Sequence, residues 1–131
     1  MEDINIFIAD FLGYLQRREL NNLVDLFADE FDLEIPGNTA KIKWLGRRGS
    51  KPEVRQLFKL LWSAVEPVTA EIQTILTNGD QVIIKGNFTS KMLETGKLVD
   101  SIFFIHMRIH NHKIVEYTLL EDSYAVSEAL Q

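Results

Sequence analysis

The 131-residue chain contains no cysteine, only three prolines and only seven glycines. Without cysteine there can be no disulfide staples, thiol nucleophiles, or cysteine-built zinc or iron–sulfur centres. With so little glycine and proline and 46% hydrophobic residues, a disordered tether is excluded. Positive charge is also short: 14 Lys and Arg stand against 19 Asp and Glu, a formal net charge of −5. Phosphate neutralisation needs a basic face, so nucleic acid is not an expected partner. No run approaches the ~20 apolar residues of a membrane span, and no membrane partner is expected. The opening Met1-Glu2-Asp3 is acidic, unlike a secretory or transit peptide, and the expected location is cytoplasmic. What the chain does have is apolar surface. At this length roughly two-thirds of the unfolded surface can be buried, so a single domain over residues 1–131 is expected to stand without metal or disulfide.

Hydrophobic spacing lays out the elements. Ile4, Phe7, Ile8, Phe11, Leu12 and Leu15 recur at three and four, which is one stripe of an amphipathic helix. A second short helix carries Leu20, Leu23, Val24 and Phe27. Phe31, Leu33 and Ile35 then alternate with Asp32 and Glu34, as a strand does, until Pro36-Gly37-Asn38 ends it. Residues 39–49 read as a loop with a short alternating piece at Ile42-Lys43-Trp44-Leu45. Ser50-Lys51-Pro52-Glu53 is a capping box, and the helix it opens buries Val54, Leu57, Phe58, Leu61, Trp62 and Val65. After Pro67 the period is two throughout, giving strands near 68–76, 81–92, 98–109 and 113–121. The turns between them are Asn78-Gly79-Asp80, Glu94-Thr95-Gly96 and His110-Asn111-His112. A short helix over 123–129 closes the chain. Helices segregated from consecutive hairpin-connected strands specify an α+β domain, a curved antiparallel sheet packed against three helices.

The strand near 98–109 carries large apolar groups on both faces, at Ile102, Phe103, Phe104 and Ile105. A sheet with one face in water alternates cleanly instead. A homodimer using the face of Ile102, Phe104 and His106 is therefore expected.

Several strings, in this order, resemble the small-ligand members of the nuclear transport factor 2 superfamily, the ketosteroid-isomerase-like and SnoaL-like proteins. They are Leu26-Phe27-Ala28-Asp29-Glu30-Phe31, Glu34-Ile35-Pro36-Gly37, Gly46 before the capped helix, Thr95-Gly96-Lys97, and Lys113-Ile114-Val115-Glu116-Tyr117 leading into Glu121-Asp122. The resemblance spans nearly the whole chain. It implies a cone-shaped fold enclosing a pocket for a small apolar, often ring-containing ligand. Activities in the superfamily include isomerisation, cyclisation and epoxide hydrolysis, beside members with no catalytic role. Where the steroid isomerases place their proton-shuttling carboxylate, oxyanion-binding tyrosine and neutral carboxylic acid, this chain has Ile35, Phe11 and Ile105. Moving a proton next to a carbonyl needs a base and a donor, so that trio is excluded here. The Arg and Asp of the epoxide hydrolases fall on Gly86 and Phe88, while their final carboxylate falls on Asp122. The acid/base aspartate of the cyclases falls on Asp122 as well.

The candidate catalytic residues are accordingly Asp122 and its neighbour Glu121. Adjacent strand residues point to opposite faces. Alternation through Tyr117 and Leu119 sends Glu121 inward, whereas the resemblance favours Asp122, which a bulge would turn inward. The alternative role for Asp122 is to cap the helix beginning at Ser123. Candidate ligand-binding residues are Phe11 and Tyr14 on the first helix, Trp44 in the loop and Phe58 on the capped helix. From the strands come Ser101, Phe103, Ile105 and Tyr117. Lys41, Lys43, Arg47, Arg48 and Lys51 cluster beside a helix start and could hold an anion, though such loops are usually just solvated. His110 and His112 lack a third partner, so no metal is expected. No glycine-rich phosphate cradle or dinucleotide fingerprint occurs, and no cofactor is expected.

Overall fold

The computed structural model describes residues 2–131. Helix α1 spans Glu2–Arg17 and α2 Leu20–Asp25, followed by strands β1 Phe27–Ile35 and β2 Gly46–Ser50. Helix α3 covers Lys51–Ala64. Strands β3 Val65–Asn78, β4 Gln81–Met92, β5 Leu98–His110 and β6 Lys113–Glu121 follow, and α4 Ser123–Ala129 closes the chain. The six strands form one sheet in the order β2-β1-β6-β5-β4-β3. All neighbours are antiparallel except β1 and β6, which run parallel.

One face of this sheet is the core. The alternate residues of β5, Val99, Ser101, Phe103, Ile105 and Met107, are buried, and they face Ile4, Phe7, Ile8 and Phe11 of α1 and Val54, Leu57 and Phe58 of α3 in a single apolar cluster. Ser50 caps α3 as its sequence indicates. Its hydroxyl accepts the Glu53 amide, and the Glu53 carboxylate accepts from the Ser50 hydroxyl at 2.9 Å and the Gly49 amide at 3.2 Å. The other end of α3 is held from outside. The Arg18 guanidinium donates to the carbonyls of Trp62 at 3.0 Å and Val65 at 2.8 Å, and it lies 5.8 Å from the Trp62 ring centre. A cation at the carbonyl end of a helix satisfies acceptors that have no intrahelical partner.

Three boundaries differ from the sequence reading. Phe27 opens β1 instead of closing α2, because the Ile114 amide donates to the Leu26 carbonyl and draws the chain onto β6. The strand expected near 68–76 runs from 65 to 78. Pro67 is tolerated inside it because β3 is an edge strand with one side unpaired. The loop expected over 39–49 ends early: its alternating piece at 42–45 is loop as expected, but Gly46–Ser50 forms a strand.

Gly86 sets the sheet's internal spacing at one point. A Cβ there would strike the Glu71 carbonyl oxygen of the neighbouring strand and lie 2.7 Å from Cζ of Phe103. Only glycine admits this approach, which occurs beside the bulge between Ile72 and Thr74. The Phe103 ring occupies the space that a side chain would take.

Candidate functional site

The end of β6 brings together the groups with unusual chemistry. From Arg108–Glu116 to Phe103–Glu121 the β5–β6 ladder runs without a register shift. Strict alternation therefore places Tyr117, Leu119 and Glu121 on the core face, opposite Met107, Ile105 and Phe103. The Glu121 Oε1 is sealed from solvent and has no hydrogen-bond partner. Burial, and to a smaller degree the neighbouring charge of Asp122, pushes its carboxyl from the ordinary 4.5 up to about 7. Tyr117 is buried too, and its phenol is held protonated by burial first and by the nearby Glu121 charge second.

Asp122 points the other way. It is exposed and caps α4, its Oδ1 accepting the Ala125 amide at 3.0 Å. The bulge that would turn it inward is absent from this stretch of β6, so of the two adjacent carboxylates the inward one is Glu121. Replacing Asp122 by Ala should cost ~1 kcal/mol through the lost cap, while Asn, itself a good cap, should leave thermal stability nearly unchanged. Melting curves of the two variants check this. Ser101 completes the corner. Its hydroxyl accepts the Asp122 amide at 2.8 Å and donates to the Ile102 carbonyl at 2.6 Å, so it anchors the β6–α4 junction.

The other candidates belong to the core around this corner. Phe11 is fully buried and meets Tyr117 edge-on at 6.0 Å between ring centres, and Tyr117 also packs 5.8 Å from Phe27. Phe103 and Ile105 are buried on the same sheet face as Glu121, with Phe88 at 6.1 Å from Phe103. Phe58 and Trp44 are buried, Phe58 against Trp62 at 5.4 Å. Tyr14 is only half-buried, and the Arg17 guanidinium lies 5.9 Å from its ring centre. Two surface depressions, of about 450 and 270 Å³, lie elsewhere. One runs from Arg48 of β2 along α3 to Leu60, and the other joins the start of α1 to the hairpin tips at Asp80 and His112. Neither is lined by the eight residues singled out from the sequence.

The basic cluster does not converge. Arg47 pairs with Asp32 and Glu34 on the outer face, and Lys51 lies 4.0 Å from Asp29. Arg48 turns inward to backbone carbonyls. A charge pattern alone could not show this, because the acidic partners lie on β1, outside the basic stretch. Among the described residues no group of three His, Asp or Glu is placed to hold a metal, and no helix is long and apolar enough to cross a membrane.

Residues 8–117 match the family model described as the SnoaL-like domain. The chain belongs to this family. Solved structures agree on the SnoaL-like fold. An NTF2-like protein of unknown function from Burkholderia pseudomallei superposes with a TM-score of 0.90 at 14% identity, covering 100% of this chain and 99% of that one. An NTF2-like protein from Burkholderia xenovorans gives 0.88 at 17% identity, with 100% and 98% covered. A protein with a ketosteroid isomerase-like fold from Catenulispora acidiphila, solved in complex with trimethylamine, gives 0.71 at 13% identity, with 86% and 82% covered. At these identities the likeness establishes the cone-shaped fold alone. No curated protein matches the chain. The family match ends at Tyr117 and stops short of Glu121 and Asp122, so the choice between the two carboxylates rests on the geometry of this SnoaL-like domain.

Proposed function

We propose that this SnoaL-like domain binds a small apolar, ring-containing molecule against the inner sheet face and moves a proton on it with Glu121. The observation that carries this reading is the Glu121 carboxyl, whose Oε1 is sealed from solvent without a partner on the sheet face that also carries Tyr117, Leu119 and Phe103. A carboxyl near 7 is divided between acid and base at neutral pH, which suits it to take a proton from carbon and return it elsewhere. The Tyr117 phenol, kept protonated, supplies a donor for oxygen charge that develops in such a step. Isomerisation and ring closure both fit these two groups, and neither needs a metal or cofactor. A chain that binds the ligand without turnover is the second reading, favoured by the apolar residues at the three steroid-isomerase positions Phe11, Ile35 and Ile105. The E121Q variant separates the two readings, because proton transfer requires the acid and binding does not.

The same proposal includes a homodimer through the outer sheet face. Ile102 is 56% exposed and Phe104 38%, with Leu120 beside Phe104 in the ladder and also exposed. His106 lies on this face, within 2.9 Å of Gln81 Oε1. Exposed apolar residues side by side on two neighbouring strands support such an interaction surface. A two-fold contact repeats each residue on both sides, so one substitution acts twice. F104E should convert the dimer to monomers in light scattering. A dimer of unchanged mass would place the interface elsewhere.

A further inference from the structure

Strand β1 runs parallel to β6 with Glu34 abreast of Thr118, so the chain leaves β1 close to the end of β6 that carries Glu121. The following segment, 36–45, starts at that end and returns to the sheet as β2 on the other side of β1. Around Gly37 it meets α4. A Cβ on Gly37 would touch Leu45 and lie 3.1 Å from Cβ of Ser123, two residues beyond Glu121. Ile42, Trp44 and Leu45 are buried, while 36–41 are exposed.

What holds the segment is unusual. It has no strand ladder; its backbone is tied by short turns, Ile42 N–H to the Asn38 carbonyl at 3.0 Å and Leu45 N–H to the Ile42 carbonyl at 3.3 Å. Three carbonyls at its C-terminal end, those of Lys43, Trp44 and Leu45, go to one side chain. Arg48 donates to Leu45 at 2.6 Å, Trp44 at 3.2 Å and Lys43 at 3.3 Å. On β2 this residue pairs with Leu33, on the core face of the sheet, and its side chain also lines the depression beside α3. A planar fork of five donors serves such a set of carbonyls, whereas a lysine ammonium does not match its geometry.

We propose that segment 36–45 is a lid over the Glu121 corner and that Arg48 is its latch, so that ligand enters when the three carbonyls are released. The lid rests on the functional reading of Glu121 given above, and the latch is a positioning element that never touches the ligand. Hydrophobic anchoring by Trp44 and Leu45 returns the lid, and Arg48 fixes its closed position. A loop with no ladder bonds, held by short turns, three buried side chains and one guanidinium, opens locally, below the cost of global unfolding.

Amide hydrogen exchange on the intact protein tests this. In the wild type, the Ile42 and Leu45 amides should exchange faster than those of β5 and β6, through local opening. R48A should speed them further, by about tenfold or more, because a hydrogen bond from a charged donor contributes at least that factor. Exchange in β5 and β6 should not change. With the lid loosened, water reaches Glu121, and its titration midpoint should fall from about 7 towards 4.5. R48K should restore neither protection nor midpoint fully. If Ile42 and Leu45 exchange only with the global core, or if R48A leaves both exchange and midpoint unchanged, there is no latch. The wild-type exchange alone decides the lid should R48A fail to fold. A wild-type Glu121 that already titrates at 4.5 while the lid amides open locally removes the acid/base reading and leaves the lid standing.

Discussion

Replacing Glu121 with Gln should stabilise the protein by about 2–3 kcal/mol at pH 8 and change almost nothing at pH 4. The sign follows from the direction of the shift. Below the ordinary 4.5 the carboxyl is protonated in the folded and unfolded chains alike, and no penalty exists. Between 4.5 and about 7 the unfolded chain has lost a proton that the folded chain retains. Stability of the wild type therefore falls as pH rises through this window, and the penalty is complete above it. Gln has the same shape and no charge, so its stability curve should be flat there. Urea midpoints measured at pH 4, 6 and 8 would show the two proteins diverging. Identical curves would mean that the Glu121 carboxylate is solvated in the folded state. The same variant should lose ~10²–10⁴-fold in turnover if proton transfer is the function, with ligand affinity retained. A residue that weakens the fold while serving the chemistry is a common arrangement at active sites.

The second large effect is expected at Phe11. Its ring is fully buried and stands edge-on to Tyr117, in the core that also encloses the Glu121 corner. Phe11→Ala should lower stability by ~3–5 kcal/mol, through lost burial and the cavity left behind. The urea midpoint should move with little change in slope, since the exposed surface of the unfolded chain is nearly the same. A cavity lined by apolar side chains is also a binding site. A small aromatic probe such as benzene should recover part of the loss, as it does where a buried cavity stays dry. A cost below ~1 kcal/mol would show that Phe11 is not core but a mobile wall.

Much of this was legible in the residues. The capping box at Ser50 and Glu53 is a local signal, complete within four positions, and it survives folding unchanged. The burial pattern of β5 follows its two-residue period because strand alternation has few exceptions. Glu121 is the case where local physics and family resemblance diverged. Alternation from Tyr117 pointed inward at Glu121, and only a bulge could have favoured Asp122. Other features depended on distant chain. Arg47 finds Asp32 and Glu34 across a ladder, and Arg48 turns to the loop that precedes it, so the basic cluster dissolved. The end of α2 was moved by an amide from Ile114, 88 positions beyond Leu26, and no local propensity carries such information.

The most direct measurement is the titration of the Glu121 side-chain carboxyl by carbon-detected NMR in the wild-type protein, with E121Q assigning the resonance. A midpoint near 7 is expected, accompanied by loss of stability over the same pH range. A midpoint near 4.5 would contradict a buried, unpartnered acid on the inner face and, with it, the proton-transfer function.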